Sequence, residues 1–187
     1  MSGAVSERLA RHLSALARNN CWANHRLLGA CAALSEAEFA LPRTSFFPSL
    51  RATLNHILWV DLYYIDALEG ADALRHYSQP APDFAHATPL RAAQLASDRR
   101  LIAFCERQTD ATLAADCHLP RPNRKPPPSS VEAVVTHLLQ HQIHHRGQAH
   151  AMLAGTRVKP PQLDEFYLKG EEVLRRDELL ELGLPLS

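Results

Sequence analysis

The sequence has little glycine, no cysteine motif and no excess of either charge, and each shortage excludes a class of protein. Seven glycines among 187 residues, set against abundant Leu and Ala, disfavour strand-and-turn architecture and favour helices. The 20 basic and 20 acidic residues balance, and neither sign gathers into a long run, so the chain lacks the basic surface of a protein that binds nucleic acid or membrane surfaces. We therefore expect an all-α protein that binds neither nucleic acid nor membranes.

The cysteines and the apolar runs bear on the cellular compartment. Cys21, Cys31, Cys105 and Cys117 show neither C-x-x-C spacing nor the density of a disulfide scaffold, which predicts reduced and mostly buried thiols. Residues 1–11 lack the apolar core of a signal peptide, and no apolar run reaches the roughly 20 residues of a membrane span. These features predict a cytoplasmic protein.

Apolar residues recur at three- and four-residue steps along most of the chain, which predicts helices in a single domain over residues 1–187. The segments between them are predicted to be loops, with a short helical turn allowed within residues 35–47. Four helices of this length indicate a four-helix bundle with a short fifth helix, and the long loops leave the topology open. The predicted helices span, in order, residues 6–34, 49–70, 88–109, 129–155 and 170–183.

Capping residues mark the predicted helix starts. Ser49 follows a proline at the start of the second helix, and Thr88 precedes a proline at the start of the third. Ser129 and Glu132 stand three residues apart before the fourth helix, which predicts a capping box.

The second predicted helix contains one histidine in an otherwise apolar sequence. A helix that is apolar nearly all round is predicted to be buried on several sides, either within a bundle or at a subunit contact. His56 lies inside it, where a polar ring needs a partner to offset its desolvation. A hydrogen-bonded core histidine is the ordinary explanation, and a metal ligand is the alternative.

The fourth predicted helix carries a cluster of histidines on one face. Two imidazoles one turn apart can hold one metal ion, but the pairs His137–His141 and His141–His145 satisfy the same spacing, so geometry leaves the choice open. The third ligand would come from His56, although solvated histidines have the same spacing. At about 100° per residue, the side chains that share this face are His137, His141, His144, His145 and Gln148.

Four neighbouring residues have predicted positions around this face. Tyr63 lies seven residues after His56, on the same side of its helix, so it could line the site or serve as an ordinary core aromatic. Asp61 is about 140° round and is not expected there. Arg146 points away from the histidine face and is interpreted as an ion-pair or loop-fixing residue, whereas Gln148 is predicted to orient a ligand or to make a polar core bond.

The histidine strings resemble those of the DinB family of damage-inducible proteins. The resemblance rests on Asn55-His56 in one helix and on H-Q-I-H-H-R-G-Q at residues 141–148. It extends to N-N-C-W-A-N-H-R-L-L near the start and S-L-R-A-T-L-N-H-I-L-W-V-D in the second helix, and so covers most of the chain. It implies a bundle in up-down-down-up order, often dimeric, with one divalent ion. The ligands that it implies are His56, His141 and His145, with His137 and His144 as neighbours.

The resemblance also suggests a class of reaction. The wider superfamily includes mycothiol-dependent maleylpyruvate isomerase and bacillithiol S-transferases, which implies a divalent metal ion and a low-molecular-weight thiol. Imidazole ligands suit Zn, Ni, Cu and Fe, and of these we expect Zn or Ni. Three neutral imidazoles leave coordination positions open, as in catalytic sites. We hypothesise a homodimeric, thiol-dependent S-transferase or a related hydrolase that acts on a small electrophile. The alternatives are a non-enzymatic, stress-linked metal-binding or interaction protein and a structural bundle with incidental metal.

Overall fold

A computed structural model describes residues 7–164 and 170–186 of the chain. The four longest helices, each of 19 to 24 residues, form a bundle, so the prediction of an all-α bundle is confirmed. The elements are, in chain order, α1 Arg8–Cys31, α2 Glu36–Ala40, α3 Leu50–Leu68, α4 Arg75–Ser78, α5 Ala87–Glu106, α6 Asp110–Leu113, β1 Asp116–Cys117, β2 Ser129–Ser130, α7 Val131–Ala154, a 3-10 turn Glu172–Leu174 and α8 Arg176–Leu182.

Contacts between helices give the topology of the bundle. Helices α1 and α5 are antiparallel, α3 and α7 are antiparallel, and α3 runs parallel to α5, which is the up-down-down-up order that the resemblance implied. The contacts that define the antiparallel pairs are Arg18 with Glu106, His25 with Arg91, His56 with His145 and Tyr64 with His137. Those that define the parallel pair are Asp61 with Gln94 and Asp66 with Arg100.

Helix α3 lies inside the bundle. None of its residues between 50 and 68 is exposed, because α5 and α7 both pack against it. Burial within one chain therefore accounts for its apolar sequence, and no subunit contact is needed. None of the helices described combines the length and apolarity that a membrane-spanning segment requires.

The caps at α3 and α5 differ in how well they were predicted. The Ser49 side chain accepts a hydrogen bond from the Ala52 N–H at 3.1 Å, as predicted. Helix α5 instead begins at Ala87, after His86, whose side chain makes no cap bond. Thr88 is therefore inside the first turn, so the predicted start was one residue late.

The cap of α7 corrects the predicted capping box. Ser129 pairs with Cys117 in the antiparallel β1–β2 ladder, so it lies in a strand rather than at the helix end. Ser130 is the capping residue, and its hydroxyl accepts from the Ala133 N–H at 3.2 Å. The ladder holds the chain extended up to this point, which moves the cap by one residue.

The first and the fifth helix of the prediction are shorter in the structure. Helix α1 ends at Cys31, three residues early, and its predicted start at Ser6 lies outside the described residues. The fifth helix is confirmed as α8, although it begins at Arg176, six residues later than predicted. It ends at Leu182, and Gly183 follows in the left-handed conformation (φ 67°). It docks on α1, where the Trp22 indole N–H donates to Glu178 at 2.7 Å. All four cysteines are free and buried, as predicted.

Candidate metal centre

The antiparallel packing of α3 and α7 brings three histidines together. His141 and His145 lie one turn apart on α7, and His56 faces them from α3. One ring nitrogen from each of the three lies within 4.8 Å of the other two, and His56 Nε2 is 3.1 Å from His141 Nε2. Among the described residues, these three histidines form the one group of potential ligands close enough together to hold a metal ion.

The second nitrogens of His145 and His141 differ in their hydrogen bonding. His145 Nδ1 lies 2.8 Å from Gln148 Oε1, so an Nδ1–H donates to the amide and leaves Nε2 free to bind a metal. His141 Nδ1 is buried and has no hydrogen-bond partner among the described atoms. A buried, unpartnered polar atom carries a free-energy cost. The other nitrogen, His141 Nε2, faces His56 and is placed to bind a metal.

The histidines are held in the neutral form. Burial, with His145 nearby, lowers the pKa of His56 from 6.5 to about 4, and burial, with the other histidines, lowers the pKa of His141 to about 3. Burial also lowers the pKa of His145, against the opposing effect of Gln148. Neutral imidazole is the form that binds metal, so the donor set fits a divalent d-block ion without competition from protons at neutral pH.

Two adjacent phenylalanines cover the histidines. The Phe47 ring lies 4.3 Å from the His56 ring and 5.5 Å from the His145 ring, measured between centroids. Phe46 lies 6.3 Å from His145 and is 76% exposed. The sequence placed both residues in a loop, and no periodicity marked them as part of the site.

Asn55 fixes the segment that passes beside His56. Its side-chain amide donates to the Phe84 carbonyl at 3.1 Å and accepts from the Phe84 N–H at 2.8 Å. This reciprocal pair ties the connection between α4 and α5 to the middle of α3. Asn55 is the first residue of one matching string, and its role is structural support next to the histidine.

With this geometry in view, the chain can be compared with known proteins. The sequence profile of the DinB family matches residues 8–177, which is most of the chain. The chain belongs to the DinB family. No curated protein matches it, so the family is the extent of what similarity shows.

The remaining residues predicted near the site of this DinB family protein lie at its edge. His137 and His144 are exposed; the His137 ring is 6.5 Å from His141, and His144 Nε2 contacts Gln148 at 3.0 Å. Tyr63 is buried, and its hydroxyl donates to the Pro120 carbonyl at 2.8 Å. None of the ring contacts of Tyr63 described is with the three histidines, because two helical turns separate it from His56.

A buried polar network holds the opposite side of α7, and sequence analysis did not predict it. Arg146, interpreted as an ion-pair or loop-fixing residue, is 6% exposed and donates to Asn20 Oδ1 at 2.6 Å and Asn24 Oδ1 at 3.0 Å. Each α7 histidine of the metal centre is followed directly by a member of the network. The members are Asn20 and Asn24 on α1, Asp61 on α3, Gln94 and Asp98 on α5, and Gln142 and Arg146 on α7.

Two carboxyl groups share this network with one guanidinium. Asp98 accepts from Asn24 at 3.1 Å and from Gln94 at 3.1 Å, and Asp61 accepts from Gln94 at 2.6 Å and from Gln142. Burial, with Asp98 nearby, raises the pKa of Asp61 well above 3.8. Arg146 supplies one positive charge for two carboxyl groups, and the raised pKa of Asp61 favours its protonated form.

Proposed function

We propose that this DinB family protein binds one divalent metal ion, Zn or Ni, through His56, His141 and His145. The observation that carries the proposal is the convergence of three neutral imidazoles from two helices, with ring nitrogens within 4.8 Å of one another. Imidazole suits both Zn and Ni. Three protein ligands leave a coordination position for another molecule, as in catalytic sites.

We propose further that the site serves a thiol-dependent transfer to a small electrophile. A divalent ion held there would lower the pKa of a thiol or a water in an open position and so supply a nucleophile at neutral pH. In the transfer, the thiol sulfur bonds to the electrophilic carbon, the leaving group departs with its electron pair, and the thiol proton goes to solvent. The protein's own part is to hold the three rings, with Gln148 orienting His145, and to cover them with Phe47.

The composition of the site favours thiol transfer over hydrolysis of the H-E-x-x-H type. The ligand group consists of histidines, and among the described residues no carboxylate joins it. Hydrolysis by a weakly acidic water profits from a nearby general base, whereas a thiol, with a pKa near 8.5, needs less help to ionise. Related hydrolase activity is the second reaction to test.

Elemental analysis of untagged protein that has not met a chelator tests the metal site. The wild type should carry about one equivalent of divalent metal, and His56→Ala and His141→Ala should each lose it. His137→Ala and His144→Ala remove exposed histidines from the same helix face and serve as matched controls that should keep the metal. A wild type that cannot be loaded would overturn the proposal and leave the histidines as a polar core cluster.

Two assays on the metal-loaded protein then distinguish a catalyst from a protein that stores metal. Thiol consumption with a small electrophile such as 1-chloro-2,4-dinitrobenzene should require both metal and His141. Rapid release of metal to a weak chelator, without thiol turnover, would instead support the non-enzymatic metal-binding protein.

The homodimer stays a proposal that rests on family resemblance. Burial of α3 inside one chain removes the sequence argument for it. On α7, Ile143 is 60% exposed and lines an apolar groove of about 160 Å³ with Leu16 and Leu139. Light scattering of wild type and Ile143→Glu measures whether two copies associate through this groove.

A further inference from the structure

A basic, proline-rich loop overhangs the bundle beyond the histidines. Residues 119–128 contain five prolines, two arginines and one lysine, and no acidic residue. A tight turn joins Arg121 and Arg124, with Asn123 in the left-handed conformation (φ 58°) that asparagine tolerates. The β1–β2 pair closes the base of the loop, so the loop has a defined shape and presents Arg121 toward α3.

Arg121 is surrounded by tyrosines rather than by carboxylates. Its guanidinium lies 4.5 Å from the centre of the Tyr63 ring, and it donates to the hydroxyls of Tyr64 at 3.3 Å and Tyr77. In residues 7–164 and 170–186, no acidic group lies within ion-pair distance of it. The cation therefore has neutral partners only among the described residues, and a guanidinium can also bind a carboxylate through two N–H groups.

Tyr63, Tyr64 and Tyr77 form an aromatic cage around Arg121. A buried carboxylate near this cage fixes the helix that carries Tyr77. Asp66, 1% exposed, accepts from Arg100 at 2.6 Å and contacts Arg75 at 2.7 Å and His76 at 2.6 Å. These contacts fix α4 on α3, and Tyr77 belongs to α4. The cage is therefore positioned independently of any ligand, which is the preorganisation that a binding site needs.

The tyrosine hydroxyls extend the donor set of Arg121. Because Tyr64 and Tyr77 accept from the guanidinium, their own O–H protons remain available to another acceptor. Tyr77 is 39% exposed, and Arg121 is half-buried. The arrangement offers N–H and O–H donors around one positive charge and no acceptor with negative charge, which suits a carboxylate.

The aromatic cage and the metal centre lie beside the same two helices, α3 and α7, about two helical turns apart. His137 connects the two, with its ring 6.5 Å from His141 and 5.2 Å from Tyr64. Seven residues of α3 separate His56 from Tyr63, which is about 10 Å along the helix at 1.5 Å per residue. An extended tripeptide spans a similar length, about 10 Å.

We propose that Arg121, with Tyr64 and Tyr77, binds the carboxylate of an elongated small ligand whose reactive group lies about 10 Å away at the three-histidine site. The proposal deepens the proposed function and rests on it for the reactive end. It assigns a ligand of tripeptide size with an anionic end rather than a two- or three-carbon substrate. A single carboxylate matches the single charge of Arg121.

The anionic subsite can be tested without metal. The probe is N-acetyl-Gly-Gly, compared with its C-terminal amide, titrated into metal-free, ¹⁵N-labelled protein. The Trp59 indole N–H reports binding because its ring stacks on Tyr63 at 6.4 Å and meets Tyr77 at 5.6 Å. The Trp22 indole, bonded to Glu178 on another side of the bundle, is the internal control. The acid should shift the Trp59 signal saturably and the amide should not.

Variants of the same loop separate a local contact from general charge. Arg121→Gln should abolish the shift, whereas Arg124→Gln, which removes an equal charge from an exposed position three residues away, should keep it. Equal responses in the two variants, no response in the wild type, or tighter binding of inorganic phosphate than of the acid peptide would each overturn the carboxylate assignment.

The link to the metal centre needs a thiol probe. N-acetyl-Cys-Gly-Gly should bind metal-loaded wild type and Arg124→Gln about tenfold more tightly than its amide, the usual effect of a hydrogen bond to a charged group. The ratio should fall to about one in Arg121→Gln at unchanged metal content. A ratio near one in the wild type would overturn the link. Absence of metal in the wild type would instead refute the proposed function, while the metal-free titration still decides the carboxylate subsite.

Discussion

Helix α7 carries two polar clusters on different faces, and they differ in the groups that their members contact. Arg146 and Gln142 face the network, whose side chains bond to one another around one guanidinium and two carboxyl groups, although Asp61 Oδ1 has no described partner. His141 and His145, each one residue earlier, face His56, and His141 Nδ1 has no described partner. The difference teaches which polar groups hold the fold and which are available to a ligand. Four experiments test this difference between the two clusters.

Removal of the cation of the network should have the largest effect. Arg146→Met leaves the Asp98 carboxylate buried without its positive partner, which costs about 3 to 5 kcal/mol in the free energy of unfolding. Urea denaturation measures it. Arg18→Met removes an ion pair at the surface, with Glu106, and should change stability far less. Equal losses would show that the network does not hold the fold.

Metal should stabilise the histidine cluster, in contrast to the network, which needs no ligand. Zn or Ni at about 100 times its dissociation constant should raise the free energy of unfolding by about 2.7 kcal/mol. The rise in Tm should be absent in His141→Ala and present in His144→Ala. A rise of the same size in all three proteins would place the binding elsewhere.

Loss of the amide that orients His145 should weaken metal binding without abolishing it. Gln148→Leu removes the acceptor of the His145 Nδ1–H, and loss of such partners typically lowers affinity about 10- to 100-fold. Competition with a chromogenic chelator measures the constant. Gln140→Leu, an exposed residue of the same helix, should bind metal as the wild type does; equal affinity in both variants would remove Gln148 from the site.

The smallest effect concerns the pH dependence of the network. Burial raises the pKa of Asp98 from 3.8 to about 6 and that of Asp61 well above 3.8. These two carboxyl groups therefore bind more protons in the folded state than in the unfolded chain above about pH 4, and their contribution to stability falls as pH rises through the folded pKa values.

Asp61→Asn should remove one of these protons and so flatten the decline, by on the order of 1 kcal/mol. Thermal unfolding followed from about pH 5 to 8 measures it. Asp98→Asn, in contrast, leaves Arg146 without its counter-ion and should destabilise the protein throughout. An unchanged slope in Asp61→Asn would show that Asp61 is ionised.

The periodicity of apolar residues predicted the helices, because three- and four-residue spacing depends on the local sequence alone. It found α3 and α7 within a few residues and put the histidines on one face. It could not choose between His137 and His145 as the partner of His141, since both obey the same spacing. That choice came from family resemblance, and the structure brings His145, not His137, into the group with His56.

The parts that sequence analysis missed depend on contacts between distant residues. Asn20 and Arg146 lie 126 residues apart, and nothing local marks either as buried. Phe46 and Phe47 precede α3 in a segment without periodicity, and only the packing of α3 against α7 brings them over the rings. Asn55 was visible as a motif letter, but its bond to Phe84 required the path of the connection that follows α4.

The two-residue ladder between β1 and β2 is small, but it lies between the proline-rich loop and helix α7 and fixes where each begins. Cys117 and Ser129 pair at the base of the proline-rich loop, immediately before the cap that starts α7. Changes of sequence or length inside the loop are therefore absorbed beyond the pairing, and the register of the histidine helix is left in place. The proposed carboxylate subsite and the proposed metal site therefore lie on different sides of this pairing, and the loop can vary in sequence without moving the histidines of α7.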